Sequence, residues 1–428
     1  MDAPTSQPVG AVPRRRFAAL APMRHPAYAR LWTGAFVSNI GTWMESIALG
    51  IYVTNETGQV AWTGAVAAAA FVPIAFFGPL GGALADRFPR KWLLLVTTLV
   101  QTALASTLVF LFATGTPSAP TVTLIAFGNG ICAALGVPAF QAILPDLVPV
   151  EDVPGAVALS SAQFNLGRVV GPILAGVVIG AQKRYAAAEA VNAASFLAVV
   201  AVLLTLKLPR PAVGARAEKI WHSIVDGFRF VAHEPGLRVN ALAMCLNTFL
   251  AAPFIALVPA MGEKVLDSGT GGTAALITAQ GIGAVAMALA LGPLIERYGA
   301  RRVLVVMMGG LPPALAAYAV APVLAISAVT ILAVGALYLG ALSTFTTVAQ
   351  LRAPAAIRGR VLAVHTVILG ALYPLGTIIQ GKVADSIGLR ATTFGSAVLM
   401  AAALLVVRAV RPGVTEAISQ PVALGSRA

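Results

Sequence analysis

Runs of roughly twenty residues with almost no charge recur along this chain from about residue 31 to residue 409. A helix needs about that length of apolar sequence to cross the hydrocarbon of a bilayer. Of the 428 residues 58% are apolar and only 11% are charged, with 41 glycines and 28 prolines. Soluble domains carry about a quarter charged residues. These proportions, with a mean hydropathy of +0.86, exclude a disordered chain, a coiled coil and an ordinary cytosolic enzyme. The expected fold is all-α and integral to a membrane.

Spans are expected near 31–54, 60–83, 92–114, 119–143, 155–180 and 186–206. After a polar stretch they resume near 238–258, 272–295, 303–321, 323–348, 360–382 and 391–409. Gly309, Pro312 and Pro313 interrupt the stretch 303–348 and leave its division open. The chain divides into a tail over 1–25, a six-helix bundle over 26–206, a linker over 207–237, a second bundle over 238–410 and a tail over 411–428. Both tails lack periodicity and are expected to be mobile.

Twenty-nine Lys and Arg against 16 Asp and Glu give a net charge of +13. The basic residues sit in short loops and form no compact basic domain, which argues against nucleic acid as a partner. With the N-terminus on the cytoplasmic side, 23 of the 29 basic residues fall in the tails and even-numbered loops. Only Lys183, Arg184, Lys264, Lys382 and Arg390 fall opposite, and Arg168 lies within a span. Both termini are therefore expected to be cytoplasmic. Cys132 and Cys245 lie inside apolar runs and read as packing residues, with no metal site. No cleavable signal peptide is apparent, because the apolar stretch from Phe17 to Met23 is too short.

The sequence also repeats. Gly82 to Lys91, containing Asp86, Arg87 and Arg90, is echoed by Gly292 to Arg301, containing Glu296 and Arg297, at an offset of 210. Gln141 to Pro145 is echoed by Gln350 to Pro354 at an offset of 209. Two loops with nearly one offset imply a duplicated six-span unit, and an even number of spans gives both copies the same orientation. In the linker, Ile220, Trp221, Ile224, Val225, Phe228 and Val231 recur at helical spacing, as in an amphipathic helix lying on the membrane face.

The segment from Gly82 to Leu94 resembles the signature loop of the major facilitator superfamily, with Asp-Arg and Arg-Lys pairs, although Pro89 stands where that family usually has glycine. A narrower resemblance lies in Ser38-Asn39-Ile-Gly41-Thr-Trp43, in Pro138 to Pro149, in Phe164 to Pro172 and in Arg358-Gly359-Arg360-Val361. These look like the drug- and siderophore-exporter branch described as transmembrane secretion effectors. The resemblance implies two parallel six-helix repeats and secondary active export of amphiphilic small molecules by proton antiport, with rocker-switch alternating access. It implies a bacterial inner membrane, no cofactor beyond the proton gradient, and protons and membrane lipids as partners. A monomer is expected. The same likeness adjoins lysophospholipid carriers and importers of this fold. By resemblance, Asp86, Arg87, Arg90 and Lys91, with the copy at Glu296, Arg297 and Arg301, latch the halves at the cytoplasmic mouth in the outward-facing state. Topology and helix capping explain part of that charge as well.

Glu45 is the acid expected near the middle of a span, where an ionised carboxylate is expensive unless paired or hydrated. Ser38, Asn39, Thr42, Glu45 and Ser46 share one polar face of the first span. At a rise of ~1.5 Å per residue, Glu45 and Arg168 lie roughly 21 and 20 Å along their helices, so their depths permit a pair. Either proton binding at Glu45 frees Arg168 and biases the rocking equilibrium, so that both residues carry proton coupling, or Glu45 is a structural carboxylate held permanently by Arg168. Asn39, Trp43, Asn129, Gln163, Asn165, Asn247, Thr346 and Tyr373 are polar or amphipathic residues within spans, and each reads as a cavity contact or an interhelical hydrogen bond. Gly171-Pro172 is the expected kink, and His365 reads as a solvated or capping residue. No catalytic constellation and no phosphate-binding Gly-Lys-Ser/Thr loop occurs, so neither an enzyme nor an ATP-driven pump is indicated.

Overall fold

A computed structural model describes residues 18–180, 182–206, 220–354 and 357–419. The linker stretch 207–219 and the outermost parts of both tails, 1–17 and 420–428, lie outside the described residues. The first half consists of α1 (Pro26–Thr57), α2 (Val60–Arg87), α3 (Arg90–Thr114), α4 (Ala119–Ile143), α5 (Val153–Ile179) and α6 (Tyr185–Thr205). A linker helix, α7 (Ile220–His233), follows. The second half opens with α8 (Pro235–Leu246) and α9 (Phe254–Ala260), which two π turns at Asn247–Ala251 and Met261–Val265 join and extend into one spanning segment, Pro235–Val265. It continues with α10 (Gly269–Tyr298), α11 (Ala300–Val320), α12 (Leu324–Arg352), α13 (Arg358–Ile387) and α14 (Leu389–Val410). No strand occurs among the described residues.

Eleven of these segments are long and apolar enough to cross a membrane. The twelfth, α1, has 32 residues and a regular helical path, but its polar face from Ser38 to Ser46 dilutes its hydropathy. The divided stretch 303–348 resolves at a short break after Val320, and α11 runs through Pro312 and Pro313.

Helix ends follow local chemistry. Gly58, at φ 65°, terminates α1 in the left-handed conformation that glycine adopts without a Cβ penalty. Ser118 caps α4 by accepting a hydrogen bond from the Thr121 N–H, and Glu234 caps α8 through the Leu237 N–H.

The two halves meet along α2 with α13 and α5 with α10. Contact is closest toward the end of the bundle away from the linker. A Cβ on Gly64 would lie 2.5 Å from the Thr377 carbonyl oxygen, and one on Gly381 would lie 3.0 Å from Ala61 Cα. A Cβ on Gly370 would meet the Ala75 N at 2.7 Å. Toward the linker end the helices part, and Gly78, Gly82 and Gly292 face open space. The close approaches between the halves thus run from mid-bundle to the far end, and the linker end is the more open.

The segments flanking the bundles are docked where the sequence led one to expect mobility. His25 Nε2 lies 2.9 Å from Asp152 Oδ2, joining the N-terminal segment to the start of α5. Beyond α14, a short 3₁₀ turn at Val414–Ile418 buries Ile418. Arg352 Nη1 donates to the Ile418 carbonyl at 2.8 Å, and Arg301 Nε donates to Thr415 Oγ1 at 3.2 Å. The absence of periodicity marks a short docked turn as poorly as it marks a coil. The linker helix α7 forms as its spacing predicts and packs against α13, with Gly227 on the Arg360 backbone and Asp226 Oδ2 3.4 Å from Arg360 Nη1. Val231 is buried, whereas Val225 and Phe228 are exposed. The side chains of Ile220, Trp221 and Ile224 lie outside the described residues.

Candidate functional site

Two polar clusters lie deep in the bundle. The first is wholly within the N-terminal half. Gly41 lets α1 lie directly on α6, where a Cβ would meet Ser195 Oγ at 2.5 Å and Asn192 Oδ1 at 2.6 Å. One turn further along α1, Glu45 enters the space between α1, α4 and α6 and is 6% exposed. Asn129 Nδ2 donates to Glu45 Oε1 at 2.7 Å, and Asn192 Nδ2 donates to Glu45 Oε2. Glu189, three residues before Asn192 on α6, is fully buried and close enough to interact electrostatically with Glu45. Neither Glu189 carboxyl oxygen has a hydrogen-bond partner among the described residues.

Glu45 is therefore not the lone intramembrane acid. Glu189 gives little signal in the sequence because it stands only four residues into α6, where an acid reads as a helix-end residue. The signal available was its placement three residues before Asn192, which puts both on one helix face.

The Glu45–Arg168 pair that their depths permit does not form among the described residues. The two depths match, but α5 lies on the opposite flank of α1 from α6. Gly167 abuts Asn39 and Gly171 abuts Trp43, so Arg168 emerges on the Trp43 side. There its guanidinium carbon sits 5.5 Å from the centroid of the Trp43 ring, a cation–π distance. Tyr338 on α12 and Tyr373 on α13, both buried, interact electrostatically with it from the other half. Aromatic neighbours extend this second cluster. Phe164 meets Trp43 at 5.7 Å between centroids, Phe71 meets Tyr373 at 4.9 Å and Phe254 meets Tyr338 at 5.7 Å.

The remaining residues expected in the cavity are dispersed. Asn39 is half-buried against Gly167. Gln163 is buried, and its Oε1 has no partner among the described residues. Asn165 donates to the Ser161 carbonyl at 2.8 Å, and Thr346 donates to the Leu342 carbonyl at 3.2 Å, both within their own helices. Asn247 opens the first π turn, fully buried, with both side-chain polar atoms unpartnered among the described residues. His365, expected to be solvated, is 7% exposed, and Asn240 Nδ2 lies 3.3 Å from its Nε2. It lies on the α13 face turned toward α8, which its distance from the helix end did not reveal.

At the linker end, Asp86, Arg87, Glu296 and Arg297 are exposed. Arg90 Nη1 bonds Asp146 Oδ2 at 2.8 Å and the Ala142 carbonyl at 3.0 Å. Lys91 Nζ donates to the Leu206 carbonyl at 2.7 Å. Arg301 holds the C-terminal turn, with Nη2 3.6 Å from Glu416. Each of these contacts stays within one half, so among the described residues none of the expected latch residues joins the halves in this conformation. No group of three or more His, Cys, Asp or Glu side chains could hold a metal among the described residues.

Comparison with known proteins agrees with this architecture. The macrolide efflux protein A of Streptococcus pyogenes is 26% identical over 54% of this chain and 57% of its own length. The multidrug efflux pump Tap of Mycolicibacterium fortuitum is 26% identical over 84% of this chain and 89% of its own. The crystal structure of the nucleoside transporter NupG superposes with a TM-score of 0.70 at 16% identity, covering 89% of this chain and 98% of that one, a likeness of fold alone. The family model for transmembrane secretion effectors matches residues 17–423. The chain is a multi-pass membrane transporter of the major facilitator fold and belongs to the transmembrane secretion effector family.

Proposed function

We propose that this chain is a proton-coupled exporter of amphiphilic small molecules in a bacterial inner membrane. It works as a monomer with both termini in the cytoplasm. The observation that carries this reading is the buried acid pair, Glu45 on α1 and Glu189 on α6, with Asn129 and Asn192 as its amide donors. Two neighbouring buried carboxyls cannot both carry charge cheaply, so such a pair takes up and gives back one proton as its access to water changes. The efflux proteins among the relatives support export as the direction.

The conformation closed at the far end and open at the linker end is, in this orientation, the inward-facing one. Substrate enters from the cytoplasmic side or the inner leaflet. Rocking about the α2–α13 and α5–α10 seams then exposes it to the outside. A proton arriving at the acid pair from outside favours return, and its release to the cytoplasm completes the cycle. In this reading the exposed charges at Asp86, Arg87, Glu296 and Arg297 meet when the linker end closes.

The test is transport by the purified chain in proteoliposomes under an imposed pH gradient, using rhodamine 123 and fluorescein as amphiphilic probes of opposite charge. Wild type should move at least one dye against its gradient. Glu45→Gln and Glu189→Gln should retain downhill exchange but lose uphill transport. Uphill transport by both variants at the wild-type rate refutes the acid pair as the coupling site.

A further inference from the structure

The second cluster is chemically incomplete. Arg168 is 8% exposed, lies in the middle of a spanning helix and is charged at every accessible pH. Its surroundings supply the face of Trp43 and two tyrosines, but no carboxylate lies within 4 Å and no acceptor within hydrogen-bonding distance among the described residues. A buried arginine without a counter-charge is unfavourable in a protein interior and more so in a membrane. Contact with an aromatic face offsets only part of that.

The surrounding groups indicate what would complete it. A guanidinium presents a planar fork of donors matched to a carboxylate, sulfonate or phosphate oxygen pair. Phenolic hydroxyls such as those of Tyr338 and Tyr373 are further donors to an anion. Trp43, Phe164, Phe71 and Phe254 add apolar walls around this polar centre. A buried charge with few polar neighbours in aromatic surroundings suits a ligand with one charged head and an apolar body.

We propose that Arg168, together with Tyr338 and Tyr373, binds the anionic head group of an amphiphilic substrate whose apolar body lies against Trp43 and the neighbouring phenylalanines. This deepens the transport reading and rests on it, since it names the charge class of the cargo. Arg168 and Trp43 belong to one half, and Tyr338 and Tyr373 to the other. A bound anion therefore ties the halves together at mid-bundle, and its occupancy bears directly on the rocking equilibrium.

The experiment is equilibrium binding to the purified full chain in a neutral maltoside detergent, with no gradient imposed. Failure of proton coupling therefore leaves the result unaffected. The probes are tritiated 1-naphthaleneacetate and 1-naphthylethylamine, which share a ring system and carry opposite charge at neutral pH. The acid should bind at least about tenfold more tightly than the amine, a difference of ~1.4 kcal/mol. Arg168→Gln should abolish that preference by weakening the acid, Arg168→Lys should keep part of it, and Tyr338→Phe should weaken the acid severalfold. If Arg168→Gln does not purify as a monodisperse species, the wild-type ratio and the Tyr338→Phe variant decide. Equal or reversed preference in wild type, no saturable binding of the acid, or wild-type preference in Arg168→Gln overturns the proposal.

Discussion

Asp385, near the end of α13, caps the first turn of α2 across the boundary between the two halves. Its Oδ1 accepts from the Val60 N–H at 2.6 Å and its Oδ2 accepts from the Ala61 N–H at 3.0 Å. A carboxylate at a helix N-terminus satisfies backbone donors left unpaired there and meets the positive end of the helix dipole. Charged groups do join the halves, then, but at the end opposite the Asp86 and Arg87 loop.

Removal of that cap should favour opening at the far end. Asp385→Ala is expected to destabilise the closed form by about 1–2 kcal/mol, the usual worth of an N-cap. That is a shift of roughly 5- to 30-fold in the ratio of the two forms. Distances between spin labels across the far end should lengthen in Asp385→Ala and stay put if the cap is incidental.

Gly64 tests the same seam by sterics. A Cβ there would lie 2.5 Å from the Thr377 carbonyl oxygen, too close for any side chain. Gly64→Leu should hold the far end open. In a background with Cys132 and Cys245 replaced by serine, Ala68→Cys, at a buried position on α2, should react with a membrane-impermeant maleimide only when Gly64→Leu is also present. Equal protection in both backgrounds would contradict the seam.

The two acids should differ in what they do for stability. Glu45→Ala orphans the amide donors of Asn129 and Asn192, each worth about 1–3 kcal/mol when left unsatisfied. Glu189 has no hydrogen bond to lose among the described residues, so Glu189→Leu should leave the thermal midpoint unchanged or raise it while abolishing uphill transport. Tryptophan fluorescence on heating in detergent separates these outcomes, and a large drop for Glu189→Leu would count against the arrangement.

Outside the membrane, Glu234 sets an acid limit. Burial pushes its carboxyl up, but hydrogen bonds from Arg352 and from the Leu237 N–H outweigh this and hold it below the ordinary range. A carboxyl that titrates lower when folded contributes fully above about pH 4.3 and loses that contribution as pH falls through its folded value. Glu234→Ala should remove part of the acid-side loss of stability. It should cost about 3–5 kcal/mol at neutral pH, because Arg352 keeps its buried charge. The Val414–Ile418 turn, held through Arg352 Nη1, should then become sensitive to proteolysis.

The all-helical, many-span character was legible in the chain because lipid imposes one requirement on every residue of a span, and eleven described helices meet it. Gly41, Asn129 and Trp43 were visible as individual residues, but not their partners. Depth along a helix follows from a fixed rise per residue, which is why Glu45 and Arg168 could be matched in height. The direction a neighbouring helix faces depends on packing between helices, and no local pattern encodes it.

The sequence by itself determined that this is an all-helical membrane protein of two like halves, because span length, charge bias and the repeat are each local or additive properties. Only the tertiary structure decided that Glu45 faces Asn129, Asn192 and Glu189, and that Arg168 faces Trp43, Tyr338 and Tyr373. Gly41 and Gly171 let α6 and α5 approach opposite flanks of α1, and that rotation separates the acid from the base.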